Sequence, residues 1–123
     1  MEVITKSMKV IIAGSRSFTD IERVFSELDS YHFWYFDITE CVCGMANGVD
    51  IIGKEWCLTK NIPVKEFPAD WDKHGKAAGP IRNKQMAEYS DCAIVIWDGK
   101  SKGSKNMIEQ MKKAQKPVYE VII

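Results

Sequence analysis

Short apolar runs alternate with segments of helical periodicity along almost the whole chain. The runs are apolar on consecutive residues, which is typical of strands that are buried on both faces of a sheet. Between them, apolar residues recur at helical spacing, as Ile21, Val24, Phe25 and Leu28 do. We expect strands at residues 9–13, 38–43, 64–67, 92–97 and 118–123, and helices near 21–28, 49–60, 79–89 and from about 104 to 116.

Strict alternation of strands and helices requires crossover connections, and these place consecutive strands parallel with helices on both faces. We therefore predict an α/β fold, a three-layer Rossmann-like sandwich around a mainly parallel five-stranded sheet. The length of 123 residues suits one domain spanning residues 1–123.

The overall charge excludes some partners. Seventeen basic residues balance seventeen acidic ones, so no global field attracts nucleic acid or an acidic membrane, and any anion site must be local. No apolar run approaches transmembrane length, and residues 1–7 lack the pattern of a signal peptide. We expect a cytoplasmic protein. Its four cysteines contain no Cys-x-x-Cys pair, so we interpret them as buried thiols and predict no metal site.

In a parallel sheet of this kind, ligands bind outside the carboxyl ends of the strands. The loop after the first strand offers Gly14 for a tight turn, the Ser15 hydroxyl, and the Arg16 guanidinium, which binds phosphate or carboxylate well. The alternative is a turn with a solvated arginine.

The loop after the second strand offers Gly44, Gly48 and Asp50. The carboxylate could accept hydrogen bonds from ribose hydroxyls, or it could only stabilise a helix start.

The loop after the fourth strand, residues 98–105, is rich in glycine and lysine. Such a loop before a helix exposes backbone N–H groups that bind phosphate. Alternatively, Ser104 caps the helix and the lysines are solvated. The candidate contacts here are Asp98, Gly99, Ser101, Gly103 and Ser104.

Two further segments carry polar candidates. Arg82 and Asn83 lie early in a predicted helix, where Arg82 could bind phosphate and Asn83 a base or sugar, or both could face solvent. The polar segment 68–76 shows no period, and its His74 could act as an acid–base group in a mobile lid. The aromatic segment 31–36, between the first helix and the second strand, could stack on bases, but packing or an oligomer contact is the better interpretation.

The motifs GSRSF (14–18), GMANGVD (44–50), AGPIRNKQM (78–86) and WDGKSKGSKNMI (97–108), in this order, resemble the SLOG superfamily. The similar branch contains small bacterial and phage proteins related to YspA. The resemblance implies a Rossmann-like sheet and a nucleotide-type ligand. It implies loops built by Gly14, Ser15 and Arg16 and by Gly44, Gly48 and Asp50, with Arg82, Asn83, Gly99, Ser101, Gly103 and Ser104 completing the site.

One departure concerns catalysis. The LOG enzymes of this superfamily cleave the N-glycosidic bond of nucleoside monophosphates with a glutamate in a PGGxGTxxE loop. Aligning Gly103 and Ser104 with its GT places Met107 where the glutamate belongs, and Glu109 lies two residues further on. Asp50, Asp98 or Asp72 could take over that role.

The function that this sequence favours is binding of a nucleotide or nucleotide-derived ligand, of NAD, ADP-ribose or nucleoside phosphate type, by a sensor or sequestering protein. A LOG-type nucleotide N-glycosidase (phosphoribohydrolase) is the alternative, so enzymatic activity stays open. A single-stranded DNA binder, as in the DprA branch, is a third and weaker alternative, since the net charge is zero. We also expect a homodimer or higher homo-oligomer.

Overall fold

The computed structural model describes residues 6–123, and the signal-peptide interpretation of residues 1–7 lies mostly outside them. Five strands form one sheet in the order β3-β2-β1-β4-β5, with every neighbouring pair parallel. The predicted Rossmann-like α/β fold is confirmed. The strands are β1 (Ser7–Gly14), β2 (Asp37–Cys43), β3 (Val64–Glu66), β4 (Cys92–Trp97) and β5 (Val118–Ile122).

Helices cover both faces of this sheet, as consecutive apolar residues in the strands require. On one face, Val24, Leu28 and Trp56 belong to the same apolar cluster as Ile12, whereas on the other Met86 and Met107 belong to the cluster that contains Ile11 and Ala13. Within residues 6–123, no helix is long and apolar enough to cross a bilayer. The helices are α1 (Ile21–Trp34), α2 (Val49–Thr59), α3 (Trp71–His74), α4 (Ala78–Tyr89) and α5 (Lys102–Lys113).

The aromatic segment was assigned wrongly to a connection, because α1 continues to Trp34. Tyr31 stacks on Phe36 with ring centroids 6.3 Å apart and contacts Tyr119 at 5.5 Å, so this part of the segment packs against the sheet. Phe33 and Trp34 remain about three-quarters exposed. Oligomerisation through this surface stays a prediction.

The segment 68–76 was predicted as an irregular loop, and this is also wrong. It contains α3, followed by a 3₁₀ turn at Gly75–Ala77. The Asp70 carboxylate caps α3 by accepting a hydrogen bond from the backbone N–H of Lys73 at 3.0 Å. A helix of four residues is too short to produce a hydrophobic period, so pattern analysis misses it.

The strand order places the candidate loops together. The order reverses between β1 and β4, because the chain leaves β1 toward one face of the sheet and leaves β4 toward the other. Their carboxyl ends therefore diverge into a crevice, which is where α/β sheets of this kind bind ligands.

Candidate functional site

Two glycines bring the first two loops against each other and against β4. A Cβ atom on Gly14 would overlap the carbonyl oxygen of Ile96, and one on Gly48 would overlap that of Ser15. Gly48 also has a φ of 76°, which L side chains rarely adopt. The predicted glycines thus permit close contact between loops, and Gly48 does not border the cavity described below.

Ser15 connects all three loops. Its Oγ accepts a hydrogen bond from the backbone N–H of Asp98 at 3.1 Å, and its carbonyl oxygen accepts one from Val49 at 3.3 Å. The side chain is buried and does not line the cavity. Ser15 therefore positions the loops.

The loop after β4 is shorter than predicted, because α5 begins at Lys102 and not near Ser104. The Asp98 carboxylate accepts hydrogen bonds from the backbone N–H groups of Lys100 at 2.8 Å and Ser101 at 2.9 Å, and these bonds lower the pKa of Asp98. Gly99 allows the turn with a φ of 80°. Asp98 and Gly99 therefore shape the loop and do not line the cavity.

The N-terminus of α5 has no side-chain cap. Ser101 occupies the N-cap position without making a capping hydrogen bond, and Ser104, which we considered as a cap, lies in the first turn. A helix cannot pair its own first N–H groups, and those of residues 102–104 carry the positive end of the helix dipole. No acidic residue lies in this turn. The arrangement favours an anion at this end of α5.

A small cavity of about 40 Å³ lies at this helix end, between the carboxyl ends of β1 and β4, and we call it the switch-point cavity. Ser104 Oγ is buried there and has no hydrogen-bond partner within residues 6–123. An unpaired buried hydroxyl costs about 1–3 kcal/mol, so a bound group that accepts its proton would be stabilised. The cavity is lined by Ala13, Gly14, Arg16, Ala46, Asp50, Arg82, Asn83, Met86, Ser101, Gly103, Ser104 and Met107.

Arg82 and Asp50 are both buried beside the cavity, and their opposite charges interact without a direct salt bridge among the described residues. The Arg82 guanidinium donates one hydrogen bond to the Gly44 carbonyl oxygen and another to Asn83 Oδ1 at 3.0 Å. Burial raises the pKa of Asp50 to about 6, although Arg82 opposes this, and burial lowers the pKa of Arg82. A Cβ atom on Gly44 would lie 2.8 Å from Arg82 Nη1, so glycine leaves room for the pair.

Asn83 connects α4 to α5. Its Nδ2 donates to Asn106 Oδ1 at 3.0 Å and to the Gly103 carbonyl oxygen at 3.4 Å, while its Oδ1 accepts from Arg82. Both the amide oxygen and the amide nitrogen of Asn83 therefore make hydrogen bonds within the protein. Asn83 thus holds the end of α5 in place and also lines the switch-point cavity, and its contact with a base or sugar stays a prediction.

Arg16 differs from Arg82 in being exposed. No hydrogen bond or salt bridge of its guanidinium is found within residues 6–123. Arg16 borders both the switch-point cavity and a wider neighbouring groove of about 290 Å³, which we call the outer groove. It is therefore the cation best placed to bind an entering anion. The outer groove is lined by Arg16, Gly44, Met45, Ala46, Asn47, Pro68, Ala69, Trp71 and Arg82.

The candidate carboxylates differ in whether they border the switch-point cavity. Asp50 borders the switch-point cavity, whereas Asp72 and Asp98 do not, and Glu109 is exposed on α5. Met107 is buried at the cavity wall, where the LOG glutamate was expected by alignment. His74 lines a third groove, outside the switch-point cavity.

Sequence analysis missed several residues of these walls. Ala13, Ala46 and Met86 are apolar and carry no chemical signal in the sequence, and Trp71 lies in the short helix α3 that has no period. The proline and tryptophan within 68–71 were the available sign that this segment packs near a binding surface.

Comparisons with known proteins agree with this architecture. The Gene 61 protein of Mycobacterium phage D29 is 32% identical over 117 residues, which cover 89% of this chain and 93% of that protein. DNA processing protein A (DprA) from Streptococcus pneumoniae has a similar structure, with a TM-score of 0.72 and 17% identity over 91% of this chain. This chain spans about half of DprA, since the match covers 49% of it.

A second similar structure is the C-terminal domain of PF1911 hydrogenase from Pyrococcus furiosus, with a TM-score of 0.50 and 18% identity over 97% of this chain and 95% of that domain. At these identities, both structural likenesses concern the fold alone. A family model identifies the chain from its own residues: residues 8–74 match that of the YspA, cpYpsA-related SLOG family, and the chain belongs to this family.

Proposed function

We propose that this protein binds a nucleotide or nucleotide-derived ligand at the carboxyl ends of β1 and β4, and that it acts as a cytoplasmic sensor or sequestering protein. One observation carries the proposal: the uncapped N-terminus of α5 and the unpartnered, buried Ser104 Oγ border the same small cavity. Both features provide hydrogen-bond donors that an anionic oxygen would satisfy. Membership of a SLOG family agrees with a nucleotide-related function.

The volumes of the two spaces favour a ligand that places its phosphate in one and its sugar and base in the other. At about 40 Å³, the switch-point cavity has room for a phosphate group and not for a whole nucleotide. The outer groove, at about 290 Å³, shares Arg16, Ala46 and Arg82 with it and can hold a sugar and a base. The phosphate would contact the N–H groups of α5 and the Ser104 hydroxyl, with Arg16 closing over it.

Arg16→Gln is expected to weaken nucleotide binding about 10- to 100-fold, because a charge-assisted hydrogen bond contributes about 1.5–3 kcal/mol. Isothermal titration calorimetry with AMP, ADP-ribose and NAD measures the loss, after native mass spectrometry has identified any co-purified nucleotide. Arg23→Gln is the control, since Arg23 is exposed on α1 and pairs with Glu27. Equal affinity of the Arg16 variant and the wild type would contradict this assignment.

A LOG-type N-glycosidase is the second candidate, and the position of Asp50 favours it. Asp50 is the carboxylate that borders the switch-point cavity, and its raised pKa of about 6 is suited to proton transfer near neutral pH. Chromatography of reactions with AMP or NAD distinguishes the two functions. Release of free base that stops in Asp50→Asn would establish the enzyme, whereas stoichiometric binding without release supports a sensor.

The DNA-binding alternative has less support. The likeness to DprA is at 17% identity and concerns the fold, and the balanced charge of the chain gives no net attraction for a polyanion. A protein that binds an oligonucleotide through its phosphates loses affinity steeply with added salt, so salt-independent or absent binding would exclude this function.

A further inference from the structure

Trp71 has an unusual position for a large aromatic residue. Its side chain is 51% exposed, and it lies on the wall of the outer groove. Indole rings bury a large area when they pack, so a half-exposed ring beside a concave surface leaves a binding face open. The four-residue helix that carries it presents no buried residue of its own.

The position of Trp71 is nevertheless well defined. The Asp70 carboxylate caps α3, and the backbone N–H of His74 donates to the Asp70 carbonyl oxygen at 3.0 Å. On the α4 side, the Cη2 atom of the ring lies 3.6 Å from where a Cβ atom on Gly79 would stand. One part of the ring is thus supported by the first turn of α4, where glycine leaves room for it. A supported aromatic ring loses little conformational entropy when a ligand stacks on it.

The cations of the site border the same groove as Trp71. Arg16 and Arg82 line both the groove and the switch-point cavity, whereas Trp71, Pro68, Ala69 and Met45 give the rest of the groove an uncharged wall. A ligand that fits both parts carries an anionic group at one end and a flat uncharged group at the other. A nucleotide has this distribution, and a bare sugar phosphate lacks the flat group.

We propose that Trp71 is the stacking surface for the base of a nucleotide whose phosphate occupies the switch-point cavity. This inference rests on the proposed function and deepens it: the site takes nucleotides in preference to other phosphorylated molecules. Stacking depends little on which base is present, because every base has an aromatic face. Trp71 is therefore expected to favour ligands that carry a base without distinguishing between bases.

The test compares ligands with and without a base. Calorimetry is carried out with ribose 5-phosphate and with the tightest-binding of AMP, GMP, CMP and UMP, using the wild type, Trp71→Ala and Trp71→Phe. We expect Trp71→Ala to weaken nucleotide binding about 5- to 150-fold and to leave ribose 5-phosphate unchanged within about twofold. Trp71→Phe keeps an aromatic face and should restore most of the affinity. Trp34→Ala is the control, because Trp34 is exposed but borders neither the groove nor the cavity.

The outcomes separate this inference from the proposed function. Unchanged nucleotide affinity in Trp71→Ala, or equal losses for the nucleotide and ribose 5-phosphate, would overturn the stacking role while phosphate binding stands. Wild-type binding of ribose 5-phosphate as tight as that of the nucleotide would do the same. If the wild type binds none of these ligands and neither ADP-ribose nor NAD, the proposed function and this inference both fail.

Discussion

Gly103→Val is expected to abolish nucleotide binding, by at least about 100-fold, while the protein stays folded. Gly103 lies in the uncapped first turn of α5 and lines the switch-point cavity, and a Cβ atom there would meet no other atom within 4 Å. The valine side chain would therefore stand in open space next to the first turn of α5, where it obstructs the approach of an anion to the free N–H groups without contacting the core. Losing two or more charge-assisted hydrogen bonds of about 1.5–3 kcal/mol each gives the expected factor.

Lys102→Val is the matched control, since Lys102 precedes Gly103 in the same turn, is exposed and does not line the cavity. Calorimetry with AMP should show a small change for this control and no detectable heat for Gly103→Val. Urea unfolding should place Gly103→Val within about 0.5 kcal/mol of the wild type, because valine and glycine differ little in helix propensity. A folded Gly103→Val protein with wild-type affinity would show that the phosphate binds elsewhere.

Arg82→Ala is expected to lower the free energy of unfolding by about 3–5 kcal/mol, far more than a surface arginine would. The substitution removes the guanidinium charge that stabilises the buried Asp50 carboxylate, and leaving a buried charge uncompensated is strongly destabilising. It also removes the hydrogen bonds to the Gly44 carbonyl oxygen and to Asn83. On the sequence alone, Arg82 was a candidate for phosphate binding, and the structure adds this second role.

A double-mutant cycle with Asp50→Asn isolates the pair. In the double variant the buried charge is gone, so the combined loss measured by urea unfolding should be smaller than the sum of the two single losses.

The stability loss caused by Arg82→Ala should also depend on pH. Since the pKa of Asp50 is raised to about 6, the carboxyl is largely neutral at pH 4.5 and ionised at pH 7.5. Arg82→Ala should therefore cost more stability at pH 7.5, and additive losses with no pH dependence would contradict the pairing.

Much of the fold could be predicted from the local pattern of apolar residues in the sequence. Residues 10–13, 41–43 and 92–97 are apolar on consecutive positions, and these became the strand segments that are buried on both faces. Parallel pairing and alternation then bring strand ends to a common edge of the sheet, which is why Arg16, Asp50, Ser101 and Gly103 could be predicted as neighbours although they are far apart in sequence.

Other features depend on partners that no local pattern reveals. Gly14 and Gly48 face the carbonyl oxygens of Ile96 and Ser15, and only the assembled loops show that these glycines serve contact between loops. Asp98, and not Ser104, organises the turn before α5, because its carboxylate accepts hydrogen bonds from the backbone N–H groups of Lys100 and Ser101. Separately, Ser104 Oγ has no hydrogen-bond partner within residues 6–123, and this buried hydroxyl is the observation behind the proposed phosphate contact.

The most direct test of a phosphate site at α5 is an amide NMR titration of the ¹⁵N-labelled wild type with AMP. Anion binding moves the resonances of the N–H groups that contact it, so we expect the largest shifts at residues 102–104, with smaller ones at Arg16 and around Trp71. Saturating shifts confined to other parts of the sheet, or no shift with any nucleotide tried, would contradict the assignment of this helix end as the phosphate site.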